Sequence, residues 1–195
     1  SGQTYLLYTG VSHSSGILPY INTASYLAKY GPATPDSLIK HIAQELPLKY
    51  KPTTGYTYSC LNFITLQNIL QNVTGVKLYE YAQQNVFGKL GLKYTSYLPL
   101  DPEAREKALS TVAPEFMSLV APTEVENGKP FLGDVHDPIA RVVNMGNSGN
   151  AGVFSNAEDL AVIAAAILNK GEIKGHRVLS PLMVETMMTN PKTND

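Results

Sequence analysis

The sequence predicts a mainly α fold with long loops and little strand. Three observations lead there. Apolar residues recur at helical spacing in several short segments, and Ser, Asn, Asp, Pro and Gly punctuate those segments where helices start and stop. No stretch sustains the apolar–polar alternation of a half-buried strand.

Taken in order, Leu38, Ile39, Ile42 and Leu46 repeat on one face, with Asp36 placed to cap the start and Pro47 to end the run. A second helix is expected over Asn62 to Val73, with Phe63, Leu66, Leu70 and Val73 on its inner face and Gly75 as its stop. A third runs from Leu78 to Phe87. From Ser96 to Gly152 six prolines break every pattern, which predicts a loop-rich excursion. Order returns at "SNAEDLAVIAAAILNKG", where Ser155 and Glu158 have capping-box spacing, Leu160, Ile163, Ala164 and Ile167 form a stripe, and Gly171 fits the stop. Ser180-Pro181 opens a last helix through Val184, Met187 and Met188. "LGLKYTSYLPL" and "KGHRVLS" hold the few segments able to pair as strands.

At 195 residues, with 44% hydrophobic and 16% charged side chains, the chain is expected to form one well-cored domain over residues 1–195. Its formal charge of −1 and lack of a basic run provide no field to steer nucleic acid or anionic membrane, so no nucleic-acid partner is expected. One cysteine excludes an internal disulfide framework. No run nears the roughly 18 apolar residues of a membrane span, and the N-terminus lacks the basic-then-apolar order of a signal peptide. His13, His41, His136 and His176 lack the spacing that sets two ligands on one helix face, so neither a metal nor a cofactor is expected.

The chemistry-bearing candidates gather at "GYTYSCLNF", residues 55–63. Tyr58 lies just ahead of a helix, where it either presents its phenol at a helix N-terminus that favours a phenolate or packs across the turn. Ser59 is placed to cap the helix. Cys60 is either a thiolate at the same helix start or a small half-buried side chain. A serine activated by a lysine three residues on would share one helix face with it, and Ser37-Leu38-Ile39-Lys40 has that spacing. His136 and Asp137 form either an acid/base pair or a polar turn before Pro138. The loop "GNSGNAGVFS" lacks the Lys-Ser/Thr of a phosphate-binding loop; its glycines permit a tight turn or close approach to a ligand.

In chain order, "HSSGILPY", "LPLKYKPTTGYTYSCLNFITLQNILQNVTG", "VFGKLGLKYTSY" and "GDVHDPIARVVNMGNSGNAGVFSNAEDLAVIAAAILNKGEIKGHRVLSP" resemble successive segments of the serine β-lactamase-related proteins. That group includes class C β-lactamases, penicillin-binding proteins, D-aminopeptidases and related esterases. The resemblance spans nearly the whole chain and implies the helical lobe of a two-lobed fold, in which a helical lobe stands beside an antiparallel sheet. It implies that Tyr58 is the catalytic tyrosine that moves protons in acylation and deacylation. Cys60 stands where the family often has asparagine. The substrate-facing residues expected are Cys60 and, in the glycine-rich loop, Asn150 and Gly152.

The family's Ser-x-x-Lys lies upstream of the His-Thr-Ser-Gly stretch, so Ser37-Lys40 is out of register and reads as a decoy. "KTN", residues 192–194, comes too early for the family's third motif, Lys-Thr-Gly or His-x-Gly on a strand of the sheet, and lacks its glycine. The resemblance therefore implies a partial domain lacking the nucleophile helix and most of the sheet. Its parent would be a periplasmic or secreted serine acyl-hydrolase taking a β-lactam, peptide or ester, and this chain alone would be inactive. The alternative is a non-catalytic binding module, to which the Cys60 departure points. Expected partners are the missing sheet lobe or, through exposed apolar surface, a second copy.

Overall fold

The computed structural model describes residues 2–189 and shows a mainly α chain with little strand. The chain divides into two units, each with its own core.

The first unit comprises the residues up to Val76 together with Asp137–Gly152. It holds α1 (Gly2–Val11), α2 (Thr23–Tyr30), α3 (Pro35–Lys40) and α4 (Cys60–Thr74). Asn22 caps α2 by accepting from Ser25 N–H at 2.9 Å, and Gly31 closes it. Pro35 occupies the first turn of α3, which runs on as a π turn over His41–Glu45; Thr34 rather than Asp36 is the capping position. In α4 the Ser59 hydroxyl accepts from Asn62 N–H, and Gly75 in the left-handed region ends the helix. Its deepest residues are Leu61, Asn62, Ile64 and Gln67, whereas Val73, expected on the inner face, is 80% exposed. Leu61 and Ile64 join Ile21, Tyr26, Leu38, Ile42, Ile139 and Val143 in the core. The last two come from a second π turn, Ile139–Val143, which returns late in the chain to pack on α4's unit.

The second unit comprises Lys77–His136 and, among the described residues, 153–189. Here α5 (Leu78–Ala82) continues as a π turn to Phe87, so the expected helix from Leu78 to Phe87 is present in two geometries. The strand β1 (Ser96–Tyr97) is followed by α6 (Pro102–Leu109) and α7 (Phe116–Leu119), then by the hairpin β2 (Pro122–Glu126) and β3 (Lys129–Leu132). β4 (Val153–Phe154) pairs antiparallel with β1 and leads into α8 (Ala157–Leu168). β5 (Glu172–Ile173) and β6 (His176–Arg177) form a last hairpin before α9 (Pro181–Met188), which Ser180 caps. Phe87, Leu92 and Tyr97 centre the core, with Val162 and Ile163 of α8 against them.

Two expectations here are corrected. The excursion from Ser96 to Gly152 is structured: the prolines open helices and bound strands instead of dissolving them, and Asn127-Gly128, both at positive φ, make a tight hairpin turn. In α8 the cap is Asn156, accepting from Asp159 N–H at 2.8 Å, while the Ser155 hydroxyl bonds Thr95 at 2.8 Å. The inward face follows Asp159 and Ala166, leaving Leu160 53% exposed.

Candidate active site

The start of α4 is the anchor for everything around it. Ser59 is extended and fully buried; its hydroxyl donates to the Leu18 carbonyl at 2.7 Å, and Cys60 N–H donates to the Pro19 carbonyl at 2.9 Å. These two bonds pin the segment after "HSSG" against the helix start. Tyr58, one residue before the cap, is 61% exposed, so its phenol faces solvent rather than packing across the turn. Cys60 is half-buried at the first helical position.

The imidazole of His13 stands beside Tyr58, with ring centroids 4.6 Å apart, and also touches Tyr56 at 6.0 Å and Phe63 at 5.4 Å. Its Nδ1 accepts from Ser59 N–H at 3.1 Å, which places the proton of the neutral ring on Nε2. Burial lowers its pKa, in keeping with that neutral form. The buried Asn62 holds the arrangement from beneath: its Oδ1 accepts from Ser15 Oγ at 2.6 Å and its Nδ2 lies 3.4 Å from His13 Nδ1. His13 itself takes a φ of 58°, and Gly16 a φ of 79° where a Cβ would fall 2.1 Å from the Tyr50 carbonyl. The loop can follow this path only with glycine at that position.

Further along the same helix, Gln67 grips the glycine-rich loop. Its Nε2 donates to the Asn147 carbonyl at 2.7 Å, and its Oε1 accepts from Gly149 N–H at 2.8 Å. Asn144 Nδ2 donates to Ser148 Oγ at 2.9 Å, and Ser148 Oγ donates to Asn150 Oδ1 at 2.7 Å. A Cβ on Gly149 would meet the Phe63 carbonyl at 2.2 Å, so this loop lies directly on the helix backbone. Asn150 and Gly152, at a φ of 120°, are half-buried at its far end. One helix thus holds the loop of His13 through Asn62 and the loop of Asn150 through Gln67.

The other candidates make contacts of their own. Ser37 and Lys40 belong to α3, and none of the described contacts around Tyr58 comes from that helix. His136 Nε2 lies 2.8 Å from Glu124, while Asp137 accepts from Tyr20 hydroxyl at 3.0 Å and from Ala140 N–H at 2.7 Å, capping the π turn. Residues 192–194 lie outside the described residues. Among the described residues no three His, Cys, Asp or Glu side chains gather as a metal site. The sequence reading missed Asn62 and Gln67; their signal was two amides set among the apolar residues of the helix's buried face.

Comparison with known proteins places these features in context. The family model described as Beta-lactamase matches residues 11–195. An N-acetylmuramyl-L-alanine amidase of Bacillus subtilis is 29% identical over 95% of this chain and 42% of its own length. An Escherichia coli K12 protein provisionally named D-alanyl-D-alanine carboxypeptidase is 27% identical over 98% of this chain and 45% of its own. The chain thus spans under half the length of these curated relatives. The fold of a penicillin binding protein from Bacillus halodurans superposes on 95% of this chain and 50% of that one, with a TM-score of 0.62 at 21% identity.

Proposed function

Since the chain belongs to the beta-lactamase family, we propose that it is the helical, substrate-facing part of a serine acyl-hydrolase whose nucleophile lies outside these residues. The observation that carries this reading is the exposed phenol of Tyr58, held at the start of α4 beside a neutral His13. In the parent protein a serine hydroxyl attacks the substrate carbonyl, forming the acyl-enzyme as the amine leaves with a proton; water then releases the acid and restores the serine. Tyr58 relays the serine proton to the leaving nitrogen and, in the second half, takes one from water. The glycine-rich loop, clamped by Gln67, and Cys60 border the substrate.

The amidase and carboxypeptidase relatives support an amide substrate of cell-wall peptide type, with β-lactams as its strained mimics, and hence action in the periplasm or outside the cell. The sheet lobe of the same parent is the natural cover for apolar surface left open on this part.

The test is covalent labelling with a fluorescent penicillin. The 195-residue chain is expected to take no label and the full-length parent to be labelled; Tyr58→Phe in the parent is expected to slow acyl transfer about 10²–10⁴-fold with little change in melting temperature. Unchanged kcat/KM in Tyr58→Phe would overturn the role of the phenol. A stoichiometric adduct at Ser37 of the 195-residue chain would move the nucleophile into these residues.

A further inference from the structure

A hollow lies within the first unit, lined in part by Leu18 and Tyr20 of the segment that Ser59 and Cys60 pin. Its volume is about 310 Å³, at the small end of the range for small-molecule pockets and enough for one or two sugar-sized rings. Nothing in the acyl-transfer reading uses it. Its floor is apolar, from Leu18, Ile21 and Leu46, and its walls are aromatic. Tyr26 and Tyr30 lie with centroids 4.8 Å apart, and the His41 ring is 5.5 Å from the first and 5.6 Å from the second. Tyr26 is 3% exposed and backs the wall, so the ring surface a ligand can reach belongs to the half-buried Tyr20 and Tyr30, with Lys29 Nζ 4.7 Å from the Tyr30 centroid as a group it must share or displace.

Two features narrow the ligand. Charge is cancelled internally: Glu45 accepts from Lys29 at 2.7 Å, meets His41 Nδ1 at 3.0 Å and also accepts from the Tyr30 hydroxyl, so an ionic ligand gains little. The phenol protons are also committed, Tyr20 to Asp137, Tyr26 to Thr34 and Tyr30 to Glu45, so any further bond to these oxygens must be one they accept, and Tyr20 already accepts from Ile139 N–H at 3.4 Å. Burial, reinforced by the neighbouring Asp137, pushes the Tyr20 phenol up to about 12, and that wall stays neutral through the working range. The exposed Ser25 and Asn22 supply polar groups at the rim. A neutral ligand with hydroxyl donors on its edge and C–H groups on its face fits this set, because polarised C–H bonds seek the negative face of an aromatic ring.

We propose that the hollow lined by Tyr20, Ser25, Tyr26, Tyr30 and His41 binds a pyranose ring of a glycan. It opens along the same Leu18–Tyr20 stretch whose Leu18 and Pro19 carbonyls are tied to the start of α4, so an extended glycan conjugate has a resting place next to the backing of the Tyr58 site.

Titration of the isotope-labelled chain with tri-N-acetylglucosamine and, separately, maltotriose tests this by NMR. Shifts are expected at Ser25, Tyr30 and His41 with either or only the first sugar; both binding means ring stacking alone suffices, and selectivity means the acetamido group is also read. Tyr30→Ala is expected to weaken binding about tenfold, with Tyr30→Phe retaining most of it. Ser25→Trp, which fills the mouth from an exposed helix position, abolishes binding even should Tyr30→Ala fold poorly. Tyr58→Phe leaves sugar binding unchanged, so this inference and the acyl-transfer reading fail separately. No shift with either sugar at about 10 mM, shifts centred on Tyr56 and Tyr58, or undiminished binding in folded Ser25→Trp would overturn it.

Discussion

At the scale of single residues, the site depends on a buried amide more than on its visible phenol. Asn62 satisfies Ser15, which is 3% exposed, and faces His13; removing it strands a buried hydroxyl. Asn62→Ala is therefore expected to cost about 1–3 kcal/mol, read as a lowered urea midpoint at unchanged slope. His13 adds a pH dependence of definite sign. Its folded pKa lies below the ordinary 6.5 because burial disfavours the imidazolium. Below that pH the unfolded chain binds a proton that the folded chain resists, so stability is full above about pH 6.5 and falls as pH drops toward the folded pKa. Stability measured between about pH 7.5 and 5.5 should decline less in His13→Gln than in the wild type. An equal decline in both would assign the effect elsewhere. The Glu45 carboxyl, held down to about 2 chiefly by hydrogen bonds from Lys29, Tyr30 and His41, acts in a separate window: its contribution is full above the ordinary carboxylate value of 4.5 and is lost as pH falls toward 2.

At the scale of elements, α4 is the spine on which the site is assembled, and Gly149 shows how closely the loop rides on it. An alanine there places Cβ 2.2 Å from the Phe63 carbonyl, a contact with backbone that no side-chain rotation relieves. Gly149→Ala is expected to lose about 1–3 kcal/mol and to broaden the amide signals of the 144–150 loop. Gly75→Ala, which meets nothing within 4 Å, costs only the strain of a φ of 71° and leaves that loop undisturbed. Ser59 and Gly75 made α4 legible in advance, because caps and stops are local chemistry. The hairpin was missed: Asn127-Gly128 is a strong turn signal, but the prolines around it break the strand pattern on either side. The orientation of α8 was not legible either. Its sequence is apolar on almost every face, and what turns it is Asp159, whose carboxylate accepts from Tyr94 N–H and Thr95 hydroxyl at 2.7 Å, partners more than sixty residues away. The pairing of His13 with Ser59 and Tyr58 was hidden for the same reason: a ring that reaches across 46 residues leaves no periodic trace.

At the scale of the whole molecule, the second unit leaves apolar side chains in water that its own core does not use. Leu160 and Leu168 on α8, and Leu182, Met183, Met187 and Met188 on α9, are between 49% and 82% exposed. Burying what remains open of these six is worth about 5–12 kcal/mol, against an association cost of about 4–15 kcal/mol. The balance is close to zero, so the isolated chain is expected to self-associate weakly, with an average mass in light scattering that rises over a micromolar concentration range. Leu182→Asp with Met188→Asp removes two of the three most open contributors without touching the buried Val184, and should hold the chain monomeric at an unchanged melting temperature. In the parent, where the sheet lobe is proposed to cover this surface, the same pair of changes should instead lower the melting temperature, because each carboxylate is then forced against apolar atoms. A parent indifferent to both changes would mean that this face stays open there as well, and the proposed cover would have to lie against another part of the chain.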